Sequence, residues 1–149
     1  MLDHYVKEIL NARVYEVADE TPLEYAPSLS RRLGNKIWLK REDLQPVFSF
    51  KLRGAFNRMA QLSEAERQHG VVTASAGNHA QGVALAAGRE GIPATIVMPE
   101  WVSISKQEAT RSYGGTVLIH GANITESLDT AAALARDRGM IFVHPFDDP

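Results

Sequence analysis

From residue 71 to 143 the chain repeats one beat: a short apolar run, a turn, a helix-length segment and a glycine stop. The apolar runs occupy 71–74, 94–98, 116–119 and 140–143. Between them, 78 to about 89 places Ala80, Val83, Ala84 and Ala87 on one helical face. Residues 103–113 form a polar helix, and a third helix carries Ile124, Leu128, Ala131, Ala132 and Ala135 on one side. Gly91, Gly114-Gly115 and Gly139 end the three. Strands that are apolar throughout and alternate with helices cannot be hairpin partners facing water on one side. They predict an α/β fold with a four-stranded parallel sheet and helices on both faces.

Upstream the pattern is less regular. Residues 3–11 read as a short helix with Val6, Ile9 and Leu10 on one face. Thr21-Pro22-Leu23 is extended, because a residue before proline avoids the α region. Residues 27–33 form a helix with proline at its start and Gly34 at its end. Residues 36–40 form a strand, followed by a charged loop, Arg41-Glu42-Asp43, and a Gln45-Pro46 turn. Ser63-Glu64-Ala65-Glu66 has the form of a capping box, and Gly70 stops the short helix it opens. We expect an N-terminal segment over about 1–62 and a βα subdomain over about 63–149. The end at Pro145-Phe146-Asp147-Asp148-Pro149 follows directly on a strand that should feed another element, so the sequence reads as cut short.

Composition excludes several classes of function. A formal net charge of -2, with 23% charged residues and no basic run, leaves no footprint for nucleic acid or a membrane surface. Cysteine is absent, which rules out disulfide scaffolds and cysteine-based zinc sites and fits a reducing cytoplasm. The first residues carry two acids and no long apolar run, unlike a secretory or transit peptide, and no apolar segment is long enough to span a bilayer. The five histidines have no metal-ligand spacing, and no G-x-S-x-G elbow is present.

Two stretches carry candidate chemistry. Ser49 reads as a helix N-cap, followed by Leu52, Ala55, Phe56, Met59 and Ala60 at helical spacing. That puts Lys51 in a first turn, where the macrodipole disfavours positive charge. Partial burial beside Phe48 and Phe50 would disfavour the ammonium in the same sense. A neutral amine in an apolar pocket suits Schiff-base chemistry with an aldehyde. The competing reading is an exposed lysine whose stem lies on Phe50. The second stretch, Thr73 to Gly82, is a strand, a small-residue turn and a helix start, whose backbone N–H groups favour an anion. Lacking Lys-Ser or Lys-Thr after its glycines it is no P-loop, and it lacks the dinucleotide fingerprint. A tight βα turn capped by Asn78 is the competing reading here.

Together, Lys40-Arg41-Glu42-Asp43-Leu44-Gln45-Pro46-Val47-Phe48-Ser49-Phe50-Lys51-Leu52-Arg53-Gly54-Ala55 and Ala74-Ser75-Ala76-Gly77-Asn78-His79-Ala80-Gln81-Gly82 closely resemble the fold-type-II pyridoxal-phosphate enzymes. Within these, Leu44-Gln45-Pro46-Val47 and Phe48-Ser49-Phe50 look most like the threonine dehydratases of the biosynthetic, isoleucine-pathway kind. The resemblance covers nearly the whole chain.

The resemblance implies that Lys51 carries pyridoxal 5'-phosphate as a Schiff base and then takes the substrate Cα proton. Phe50 would wall the cofactor ring and Asn78 would hydrogen-bond its phenolic oxygen. Backbone N–H groups of Ser75, Ala76, Gly77, Asn78 and His79 would hold the substrate carboxylate. The implied reaction turns L-threonine into 2-oxobutanoate and ammonia, with L-serine as a second substrate giving pyruvate, in a cytoplasmic homo-oligomer. The family's glycine-rich phosphate loop, its serine for the pyridine nitrogen and the subgroup's C-terminal regulatory region are not found, since Gly114-Gly115 is a helix stop. These 149 residues alone are therefore expected to be inactive, with an apolar docking edge that favours self-association. A related serine dehydratase or serine racemase, or a non-catalytic βα module, is the alternative.

Overall fold

The computed structural model describes residues 2–147. Its N-terminal part runs α1 (Leu2–Asn11), β1 (Leu23–Tyr25), α2 (Pro27–Leu33), β2 (Trp38–Lys40), α3 (Lys51–Ala60) and α4 (Glu64–His69). The regular part follows as β3 (Val71–Ala74), α5 (Asn78–Glu90), β4 (Ala94–Met98), α6 (Ile104–Ser112), β5 (Thr116–Ile119), α7 (Ile124–Arg138) and β6 (Ile141–Phe142). No helix among the described residues is long and apolar enough to cross a membrane.

The four later strands form a parallel sheet in the order β5-β4-β3-β6. The register sets Val71 against both Ala94 and Ile141, and Thr95 against Thr116. Side chains alternate across it. Val71, Ile96, Met98 and Val143 join the larger apolar cluster with α3 and α5, while Val72, Ala74 and Val97 meet Ala131 of α7 on the opposite face. The helices thus cover both faces, as the apolar runs demand. The edge departs from the expectation of full cover: every position of β5 except Val117 is exposed, and Ile124 is exposed on α7. An edge strand has a partner on one side only, and apolar composition alone does not distinguish it from a central one.

α3 lies on α5, outside the sheet, so this side of the molecule has an additional layer. Leu52, Phe56 and Met59 are fully buried there, each contributing about 1.5–3 kcal/mol of burial. The larger cluster therefore holds residues from both sides of position 62.

The sequence missed the pairing of β1 with β2, an antiparallel two-stranded sheet with Leu23 opposite Lys40 and Tyr25 opposite Trp38. Three residues are too few to display an alternation. β2 is also shorter than 36–40, because the first amides find other partners. Lys36 N–H donates to Asn35 Oδ1 at 2.8 Å and Ile37 N–H to Ser30 Oγ at 2.9 Å. The charged loop after β2 is one 3-10 turn over Glu42–Leu44. β6 stops at Phe142 rather than 143, although Val143 N–H still donates to Val72 O at 2.9 Å. The expected capping box on α4 is present, with Ser63 and Glu66 satisfying each other's backbone amides.

Candidate functional site

The chain steps outward from β3 through β4 to β5, then returns by α7 to pair β6 with the other side of β3. Strand order therefore reverses between β3 and β6, and the carboxyl ends of such strands open a crevice. Three segments meet there: one face of α3, His79 in the first turn of α5, and the chain after β6. They enclose a half-open cleft of ≈ 350 Å³ lined by Phe50, Lys51, Arg58, His79, His144 and Pro145 among others.

Lys51 is half-buried and donates from Nζ to the Pro145 carbonyl at 2.8 Å. The rings of Phe50 and Phe146 stand 5.7 and 5.5 Å from the same nitrogen. The apolar enclosure expected from Phe48 and Phe50 is not formed, since their relative exposures are 74% and 59%. Phe48 has a left-handed φ of 55°, which costs about 1–2 kcal/mol. Phe50 lies at the rim of the cleft. Ser49 Oγ accepts from Lys51 N–H at 3.3 Å, and Phe50 already has helical torsions, so the cap acts one residue outside the first full helical hydrogen bond.

The second stretch opens α5 at Asn78, as expected; Gly77 is the flanking residue, so the competing reading of exposed Asn78 as the cap does not hold. Two of the turn's amides are already engaged, Ser75 N–H with Val97 O at 3.1 Å and Gly77 N–H with Ser75 Oγ at 3.2 Å. Among the described residues no acceptor reaches the amides of Ala76 and Asn78, which stay open to an anion. Lys51, Phe50 and His79 line the cleft, whereas Ser75, Ala76, Gly77 and Asn78 lie on the adjoining turn without lining it.

The two stretches touch through Gly82. A Cβ there would stand 3.2 Å from the Lys51 carbonyl carbon and oxygen and from Leu52 N. A glycine lets α5 come this close to the backbone of the lysine without a shift of either helix. Sequence reasoning also missed Pro145, whose carbonyl holds the amine from 94 residues away, and Arg53, paired with Glu42 at 2.8 Å. A backbone carbonyl leaves no signal in residue type. The charged run Arg41-Glu42-Asp43 did leave one for Glu42, but as a solvated loop.

The cleft suits an anionic aldehyde such as pyridoxal phosphate at its reactive end. Lys51, Arg53, Arg58, His79 and His144 line it, and among the described residues no carboxylate does. No glycine-rich cradle for a phosphate accompanies them among the described residues. A Cβ on Gly115 would meet Ala84, Ile96 and Thr110 at 2.9–3.3 Å, at the amino end of β5 and away from the cleft.

Residues 14–149 match the family model described as "Pyridoxal-phosphate dependent enzyme". A curated relative, the L-threonine dehydratase biosynthetic IlvA of Pasteurella multocida, is 52% identical over 145 residues, which is 97% of this chain and 28% of that protein. The chain thus spans about a quarter of the length of such relatives, from 24% to 29%. The processed form of threonine deaminase isoform 2 from Solanum lycopersicum superposes with a TM-score of 0.94 at 51% identity, over 99% of this chain and 43% of that one. Maize serine racemase superposes at 0.89 with 34% identity, over 96% and 44%.

Proposed function

Because the chain belongs to the pyridoxal-phosphate dependent enzyme family, we propose that it is part of a threonine dehydratase, with Lys51 as the cofactor-bearing lysine. One observation carries the reading: an amine in the first turn of α3, in a cleft lined by cations, at the point where strand order reverses. Pyridoxal phosphate, when bound, supplies the electron sink for the bond broken at the substrate α-carbon. Lys51 Nζ carries the cofactor and takes the Cα proton. The Asn78 side chain donates to the cofactor's phenolic oxygen. The turn from Ser75 to His79 binds the substrate carboxylate through its open amides. Phe50, at the rim of the cleft, would pack beside the cofactor ring. L-Threonine loses its β-hydroxyl and yields 2-oxobutanoate and ammonia, a step toward isoleucine, and L-serine yields pyruvate.

The threonine reading is preferred to a serine racemase because the Pasteurella multocida threonine dehydratase and the Solanum lycopersicum threonine deaminase match at 51–52% identity, against 34% for the maize racemase. We place the protein in the cytoplasm, in keeping with the absence of cysteine, and as a homo-oligomer, in keeping with its exposed apolar side chains.

The test is the visible absorption of the chain mixed with pyridoxal phosphate, beside Lys51→Ala. A yellow band present in the parent, absent in the variant and displaced by L-threonine is the expected result. Matching spectra for the two proteins refute the role of Lys51.

A further inference from the structure

Two buried polar side chains near the cleft, Thr73 and His79, converge on one carbonyl. Thr73, fully buried on β3, donates its hydroxyl proton to Val143 O at 2.7 Å. His79, 8% exposed, brings Nε2 to 3.1 Å from that hydroxyl oxygen and 3.3 Å from the same carbonyl. Proton counting gives these bonds a direction. A carbonyl only accepts, and the threonine hydroxyl has one proton, already directed at Val143. Nε2 therefore carries a hydrogen and donates to the pair.

Val143 is where the parallel ladder ends. Its N–H makes the last bond to β3, at 2.9 Å to Val72 O. Beyond it, His144 Nδ1 accepts the amides of Phe146 and Asp147 at 3.2 and 2.9 Å, folding the chain into a compact turn. The Pro145 carbonyl within that turn is the partner of Lys51 Nζ at 2.8 Å. The segment is thus anchored at its start by Thr73 and His79, and two residues later it meets the lysine.

We propose that the His79 side chain is a positioning residue for Lys51. Its Nε2–H, acting with the Thr73 hydroxyl, holds the Val143–Phe146 segment, and the Pro145 carbonyl of that segment sets where the amine stands. This role is separate from the anion-binding assigned to the backbone of the same turn. One imidazole near the start of α5 then ties the carboxylate-binding turn to the lysine. The consequence for catalysis rests on Lys51 being the cofactor-bearing residue, whereas the positioning itself does not.

The chain is treated briefly with acetic anhydride, and acetylation of Lys51 is measured by mass spectrometry against exposed Lys36 in the same sample. Freed from the carbonyl, the Lys51 amine gains solvent, and its acetylation relative to Lys36 is expected to rise about fivefold in His79→Leu and in Thr73→Val. His79→Gln, whose amide donor reaches near the place of Nε2, is expected to stay within about twofold of the parent. A merely space-filling histidine would make Leu and Gln alike and leave Thr73→Val without effect, and either result overturns the proposal. If His79→Leu does not fold, Thr73→Val against Thr73→Ser decides, because only the serine keeps the hydroxyl. Borohydride trapping of pyridoxal phosphate on Lys51 is run in parallel. Failure of trapping with the acetylation pattern intact removes the catalytic consequence alone, while trapping with no acetylation change removes the positioning role.

Discussion

At Glu42, donors from three segments converge: the Thr21 hydroxyl at 2.6 Å, the Gln45 amide at 3.3 Å, and Arg53 at 2.8 and 3.0 Å. The Arg53 guanidinium is the main reason the Glu42 carboxyl is held down to about 2 from 4.5; partial burial opposes this, and Thr21 and Gln45 assist. A carboxyl whose folded value lies below its unfolded one adds stability that is complete above the unfolded value. The stability drains away as pH falls from 4.5 through about 2. After allowance for solvent screening the contribution is on the order of 1–2 kcal/mol. Glu42→Gln is expected to lower stability by that amount at neutral pH and to flatten the acid limb below pH 4.5, measured by urea unfolding at several pH values. Equal acid limbs in the two proteins would sink the assignment. Gln45, only 1% exposed, completes the anchor by exchanging two hydrogen bonds with the Asp19 backbone, at 2.9 and 2.8 Å. Residue type alone marked these positions as a charged loop and a turn, because the partners lie up to 26 residues apart.

Between elements, the meeting of α3 and α5 decides where the lysine stands. Gly82→Ala forces a Cβ to 3.2 Å from three backbone atoms, which cannot rotate aside as a side chain would. The cost expected is about 1–3 kcal/mol, seen as a lower unfolding midpoint, together with altered acetylation of Lys51. Gly54, exposed within α3 with nothing within 4 Å of an added Cβ, is the control. Gly54→Ala is expected to stabilise by about 0.5–1 kcal/mol, because alanine loses less backbone freedom on folding. A destabilising Gly54→Ala would contradict the assigned helix interior. Both glycines sit inside helical patterns and look alike in sequence. Their difference comes entirely from what lies across the gap.

Over the whole molecule, burial is concentrated on β3, β4 and the helices that cover them, while large apolar side chains remain outside. Leu2, Val6, Ile9 and Leu10 of α1 are exposed, and α1 has no buried residue. The β5 edge adds Leu118 and Ile119, and the mouth of the cleft adds Phe50 and Phe146. Surfaces of this kind associate. The sedimentation coefficient of the isolated chain is expected to rise with loading over about a hundredfold range of concentration, as mass action requires. A constant monomer value across that range would show that these side chains are tolerated in water.

The sequence by itself determined the alternation of strands and helices from Val71 onward, since apolar runs of strand length can be buried only between layers. β3, β4 and β5 begin and end where their apolar runs do. It also located Lys51 in a first helical turn and the turn from Ser75 to His79 at a helix start, because capping and small-residue turns are local chemistry. Tertiary structure decided the rest. It placed β6 beside β3 rather than beyond β5, and so put Lys51, His79 and Pro145 around one cleft. It left Phe48 and Phe50 largely exposed and supplied the lysine with a backbone carbonyl as partner. Periodicity reports which face of an element is apolar. Which element that face meets depends on contacts between distant segments, and no local pattern encodes them.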